Sequence, residues 1–461
     1  MRKVFGVVLG VLSTTSFADV TLYGRIAAAL ENDTFPSANQ VKPGTTSVQD
    51  YGSYFGIRGT DSVYGQTAAV WQIEQFLNIT GGEAYQGTMG AGWVPNHPGS
   101  PSSGQVGIAF NVFASSDTYI GLQGGWGRVR IGNISNTFRT NSGAVDIYNG
   151  ANANVFGLFD RMLEVVPYSV RYDSPSWSSI SFSAFYGFNS DGGFNTGGPS
   201  GNGISGSDMN GYNNAGVYGF GVFYQPGFIQ LSWNNQIWQN TGVYQTMGGS
   251  YPVGITGVVN APGSQGINAY TSRLEAQFNN PDSWFLGVGG QLSQGLGWFA
   301  VPGNGNLNNF WILNPAANGV NSQYTTNCQA NGYCALNQAV LSTAELGLSV
   351  GWHLGNFTPK MGYVYGANMM AGGSPWDILG GKNQLGGTGY QQTIAELDWN
   401  VTPRTIAFVN YGQLWFGDAA QNTIMSSSGN APGDSGQPTI TQAGSKWVNN
   451  GTAAVGFSHT F

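Results

Sequence analysis

AAVGFSHTF, residues 453–461, is written in strict alternation. Every second residue back from Phe461 gives His459, Phe457, Val455 and Ala453, and the intervening set is Thr460, Ser458, Gly456 and Ala454. Side chains alternate across a strand, so this pattern predicts one apolar, aromatic face and one small, polar face. Terminal residues are commonly polar and frayed. These residues read instead as an ordered strand between two different environments.

The same period recurs outward from that segment. In VTLYGRIAAAL (20–30), Val20, Leu22, Ile26, Ala28 and Leu30 share a face, and Thr21, Tyr23 and Arg25 take the other. In SYFGIRGTD, Phe55 and Ile57 oppose Tyr54 and Arg58; in AAVWQIEQF, Ala69, Trp71 and Ile73 oppose Gln72 and Glu74. GRVRIGN sets Val129 and Ile131 against Arg128 and Arg130, and ISFSAFYGF, AELGLSVGW, TIAELDW and TIAFVNYGQL continue the pattern. Helical periodicity is absent over most of the chain, so the prediction is an all-β fold. A sandwich would bury both inner faces against each other, yet one face here carries Arg, Glu, Gln and Ser. Water on that side and an apolar medium on the other predict a closed transmembrane antiparallel β-barrel, which also leaves no unpaired edge in hydrocarbon.

Composition agrees. Only 8% of residues are charged, against about 25% in ordinary soluble domains, and a mean hydropathy of −0.14 fits strands that average an apolar and a polar face. With 73 Gly the chain could suggest disorder, but 14 Trp, 22 Tyr and 26 Phe exclude it. Arg2 and Lys3 precede the apolar run Val4–Leu12, and Ser16-Phe17-Ala18 offers a cleavage site before Asp19. Residues 1–18 therefore read as an export signal and 19–461 as one domain. The 15 basic residues less Arg2 and Lys3 leave 13 against 22 acidic ones, a formal charge of −9 that argues against nucleic acid. Cys328 and Cys334, close together in an exported polar stretch, predict a loop disulfide. His97, His353 and His459 are too dispersed for a metal site with them, and no cofactor is expected.

Short connections such as Pro175–Ser178 and Gln225–Gly227 alternate with long polar ones near 80–107, 190–213, 240–268, 300–338, 368–389 and 418–446. That asymmetry matches periplasmic turns and extracellular loops. The segments DVTLYGRI, SYFGIRGTDSVYGQTAAVWQIEQ, TYIGLQGGWGRVRIGN, PYSVRYDSPSWSSISFSAFYG, AELDWNVTPRTIAFVNYGQ and AAVGFSHTF together resemble the trimeric porins of Gram-negative bacteria, specifically the beta-proteobacterial general diffusion type. The resemblance implies 16 strands, a homotrimer in outer-membrane lipid and an inward-folded third extracellular loop. It also implies passive diffusion of small hydrophilic solutes and ions, and a closing strand whose Val455, Phe457, His459 and Phe461 are read by the barrel assembly machinery. Such porins commonly carry Arg where this chain has Tyr54 and Asn133.

By position the third loop runs from Asn133 to Tyr168 and contains Arg139, Asp146, Asp160, Arg161 and Glu164. Its length exceeds an ordinary hairpin connection, which favours a functional loop. Strand parity places Arg25, Arg58, Glu74, Arg128, Arg130 and Arg171 toward water. The expectation is a positive wall facing loop carboxylates Asp146, Asp160 and Glu164 across a constriction that weakly favours anions. Trp71, Tyr172, Tyr186, Trp399 and Phe461 read as interfacial girdle residues. A run of lumen aromatics for stacking sugars is not visible in the parity.

The alternative readings are a barrel hydrolase and a long-loop adhesin. Glu396 and Asp398 share a lumen parity, but solvated carboxylates do so without catalysis. Ser458 and His459 are adjacent on a strand and therefore point to opposite faces. GTMGAG (87–92) lacks the strand-to-helix context of a phosphate loop. The expectation is a channel and not an enzyme.

Overall fold

Alternating sequences of this kind close into a barrel when every strand finds two partners. A computed structural model of the chain describes residues 19–33, 45–77, 79–80, 114, 116–149, 159, 165–188, 217–238, 269–280, 283–294, 311–313, 325–326, 333–336, 341–371, 384, 387–417 and 450–461. Sixteen long strands follow in order: β1 (Asp19–Asp33), β2 (Tyr54–Tyr64), β3 (Thr67–Phe76), β4 (Thr118–Gly124), β5 (Gly127–Ser135), β6 (Val165–Asp173), β7 (Ile180–Gly187) and β8 (Val217–Tyr224). They continue with β9 (Ile229–Trp238), β10 (Ala269–Asn279), β11 (Trp284–Gln294), β12 (Leu341–Trp352), β13 (Phe357–Gly366), β14 (Tyr390–Thr402), β15 (Thr405–Phe416) and β16 (Asn450–Thr460). Each pairs antiparallel with the next. The same holds on to β16, which pairs back onto β1 from Arg25↔Thr460 to Asp33↔Thr452. The seam is completed by Gly24 and Phe461, which exchange backbone hydrogen bonds of 3.1 Å.

The hydropathy of the barrel is inside out. Leu22, Leu274, Leu346, Met361, Val409 and Phe457 are exposed on the outside, while Gln72, Asn234, Gln291, Ser349, Gln392 and Ser458 are buried inside. Water cannot satisfy strand amides in hydrocarbon, so the closed ladder does it, and the polar sets are left facing the lumen. Outer aromatics gather toward the strand ends. Trp284 lies opposite Trp352, and Phe357 stacks on Trp399 at 6.2 Å, near the short turns. Tyr186 meets Phe188 edge-on at 4.9 Å toward the other end, and aliphatic residues fill the band between.

The seven short connections lie at one end and the eight long ones at the other. Gly65 and Gly227 adopt φ of 59° and 67° at the tips of two short turns, a left-handed backbone that residues with a Cβ rarely take. A short strand, Thr45–Asp50, extends β2 upward along β1 after an interruption at 51–53. There Tyr51 turns inward, packs on Phe408 and donates to Glu31 at 2.6 Å. Residues 1–18, Cys328 and much of the long loops lie outside the described residues.

Candidate functional site in the barrel lumen

Among the described residues, the connection after β5 enters the barrel. After β5, Asn136 caps a short helix, α1 (Thr137–Asn141), by accepting a bond from the Arg139 amide. The chain then crosses the lumen to the opposite wall, β10–β14. Asn136 donates to Gln236 on β9 at 2.7 Å, and Ser142 and Gly143 donate to Glu275 on β10. The Ser349 hydroxyl on β12 donates to the Val145 carbonyl, and the Lys360 ammonium on β13 donates to the Ile147 carbonyl at 2.8 Å. Asn149 ends this described stretch on β14: its amide donates to Glu396 at 3.0 Å and its side chain to Asp398 at 2.8 Å.

Small side chains make that path possible. A Cβ at Gly287 would overlap the Ala144 carbonyl, and one at Gly347 would meet Val145 at 2.5 Å. Arg273 on β10, fully buried, adds a clamp. It donates to the Phe159 carbonyl and to Ser142 (2.9 Å), and its guanidinium lies 4.3 Å from the centroid of the Phe159 ring. Burial pushes the Tyr148 phenol above its ordinary range, so it remains a neutral partner of Ser349.

The loop's last wall contact is a charged cluster. Lys360 sits 2.9 Å from Glu396 and 2.6 Å from Asp398, and Asn410 donates to Glu396 at 3.0 Å. Glu396 and Asp398 are thus held in hydrogen bonds and ion pairs. Ser458 accepts from Arg25 inside, while His459 contacts Thr405 on the outer face, as strand parity requires.

On the near wall, β1–β6, the arginines face inward. Arg130 pairs with Asp173 at 2.7 Å and more loosely with Asp117 at 3.8 Å, and Arg171 pairs with Asp173 at 2.8 Å. Both arginines are almost entirely buried. Arg128 reaches Asp173 only at 3.4 Å and is 38% exposed. Arg139 of α1 spans to Glu74 at 3.4 Å and to Ser116 at 3.1 Å. Arg58 is exposed, and its guanidinium lies over the face of Tyr23, 5.0 Å from the ring centroid. Besides Glu74, which the parity set on this wall, Asp117 and Asp173 stand among the arginines of the same wall. Lumen aromatics also exist: Tyr119 lies under Arg130 and Phe76 under Arg139. Tyr54 packs edge-on to Tyr23, and Asn133 donates to the Ser116 carbonyl.

Of the expected site residues, Asp146 lies on the loop beside the far wall, and its side chain accepts from the Tyr148 amide. Asp160, Arg161 and Glu164 lie outside the described residues, as does the Cys328 half of the expected disulfide. The sequence reading passed over Asn149, Arg273, Glu275, Glu345 and Lys360. Asp173 carried a usable signal, standing two residues from Arg171 and so on the same face. Lys360 and Glu396 are opposed only through strand register.

A sequence model described as Gram-negative porin matches residues 6–414. The chain belongs to the Gram-negative porin family. Among the relatives of this porin, a major outer membrane protein P.IB of Neisseria lactamica is 23% identical over 93% of this chain and 97% of its own length. A major outer membrane protein P.IA of Neisseria meningitidis serogroup C is 30% identical over 39% of this chain, and that match spans 44% of the relative's length. Matches to the first relatives of this kind cover under half of each. Among solved structures, the barrel is similar to an anion-selective porin from Comamonas acidovorans, with a TM-score of 0.56 and 13% identity over 96% of this chain and all of the other. OmpF of Salmonella typhi, solved with daunomycin, gives 0.52 and 11% over 96% and 97%. At these identities the two structures share the fold with this porin, and its place is the Gram-negative outer membrane.

Proposed function

We propose that this porin forms a water-filled channel for passive diffusion of small hydrophilic solutes and ions, weakly favouring anions where the inward loop faces β1–β6. The observation that carries the preference is an inequality of exposure. Glu275, Glu345, Glu396 and Asp398 are all at most 5% exposed, whereas Arg58 and Arg128 reach lumen water. Ions crossing a narrow aqueous passage respond to charges they approach closely, because exposed charges farther than about 8 Å are screened at physiological salt. The formal charge of −9 is therefore a poor guide to the passage itself. The anion selectivity named for the Comamonas porin supports the same reading.

The proposal includes export by cleavage after Ala18, recognition of Val455, Phe457, His459 and Phe461 by the barrel assembly machinery, and a homotrimer. The first of these is supported by Arg2 and Lys3 before the apolar run 4–12 and the small residues at 16 and 18, and the second by the outward face of β16. The trimer is what the likeness of the chain's strand segments to the trimeric porins implies. It is a channel and carries no catalytic group in this reading. Purified protein in a planar bilayer should open in stepwise, ohmic increments and give an anion-favouring reversal potential in asymmetric KCl. A folded barrel without conductance would overturn the channel.

A further inference from the structure

The loop's contacts are unevenly distributed by charge. On the far wall it lies on Glu275, Glu396 and Asp398, which receive Ser142 and Gly143 in the first case and Asn149 in the other two. Glu345, beside them, is taken up by Gln291 at 2.7 Å and Tyr390 at 3.3 Å, and Gln291 in turn donates to the Phe159 carbonyl at 3.1 Å. Every one of these carboxylates sits on a wall strand and points inward. None would be buried by the barrel alone, since inward residues of a barrel this wide border water.

We infer that the loop acts as an electrostatic cover: Asn149 and the glycine seat at Gly287 determine ion selectivity by keeping the far-wall carboxylates out of lumen water. The inference rests on the channel reading but not on the sign of its selectivity. Burial here works through partners. A carboxylate fully engaged by amide donors and an ammonium presents little free charge to a passing ion, and the loop replaces the water that would otherwise let cations approach. The Lys360 ammonium lies between Glu396 and Asp398 and offsets one of their two charges, so the cluster's outward field is weaker than that of two bare carboxylates. Lifting the loop changes no formal charge in the molecule. It exposes a row of three to four carboxylates, and such rings or rows favour cations.

Charge-neutral variants therefore test it. Asn149→Ala removes the side-chain donor to Asp398 and Glu396 at the end of the described stretch, and Gly287→Ala places a methyl where the Ala144 carbonyl rests. Both are read by reversal potential in asymmetric KCl, with heat-modifiable electrophoretic mobility as the check for a closed barrel. Each variant should raise the cation-to-anion permeability ratio several-fold, and adding Glu396→Gln with Asp398→Asn to Asn149→Ala should return most of the shift. If Gly287→Ala does not fold, Asn149→Ala alone decides. An unchanged reversal potential in a folded Asn149→Ala barrel overturns the cover, whether or not conductance alters. A wild-type barrel that favours cations would instead contradict the proposed anion preference, while the direction of the shift would still test the cover.

Discussion

The two walls of the lumen use the same residue types in opposite ways. On β1–β6 the charges are settled locally: Arg130, Arg171 and Asp173 sit on neighbouring strands, and Arg171 and Asp173 are two residues apart. On β10–β14 the carboxylates are settled by a segment from elsewhere in the chain, with Asn149 reaching across 249 positions to Asp398. Near-wall pairing leaves Arg58 with no carboxylate partner among the described residues and Arg128 held only loosely by Asp173 at 3.4 Å, both facing water. Far-wall pairing leaves no comparable carboxylate exposed among the described residues. The difference teaches that the charge a solute meets is what remains after the loop has been anchored, not what the composition contains.

The sharpest way to break the comparison is to remove the far-wall cation. Lys360→Met leaves Glu396 and Asp398 buried without their ammonium, and stripping one partner from a buried pair costs about 3–5 kcal/mol. Urea unfolding of the detergent-solubilised barrel should show that loss. The outer surface of the same wall offers a control on the barrel itself. Leu274→Arg, at the middle of β10 and 62% exposed to the apolar side, should cost about 2–4 kcal/mol in a bilayer. It should leave the reversal potential unchanged.

On the near wall the effects shrink. Arg139→Ala removes a longer, partly solvated bond to Glu74 and one to Ser116, and should cost about 1–2 kcal/mol, read from the same unfolding curves. Arg58→Ala breaks no ion pair among the described residues and should fall within about 0.5 kcal/mol of wild type. Its consequence should be electrical instead, with the reversal potential moving toward cations. A stability loss as large as that of Lys360→Met would mean Arg58 is anchored and the walls are not different in the way described.

The barrel was legible because its determinants are local. Alternation in VTLYGRIAAAL and AAVGFSHTF assigns faces strand by strand, and the assigned outward set, Leu22, Ile26, Phe457 and Val455, is the exposed set. Inward placement of Arg58, Glu74, Arg128, Arg130 and Arg171 followed from the same period. What parity cannot supply is register and burial. Lys360 opposes Glu396 only because β13 and β14 pair at that offset. Gly287 matters because a carbonyl from residue 144 rests on it, and a glycine in a strand reads locally only as a weak spot. Glu396 and Asp398 read as solvated for a related reason, since acidic residues on a wall strand look lumen-exposed until the loop that covers them is placed.

Accessible charge, rather than total charge, is the central claim, and paired reversal potentials in asymmetric KCl test it most directly. Arg58→Ala and Glu396→Gln each remove one formal charge from an inward-facing side chain, the first exposed and the second covered. The account predicts a large shift toward cations for Arg58→Ala and a much smaller shift toward anions for Glu396→Gln. Shifts of equal size and opposite sign would contradict it.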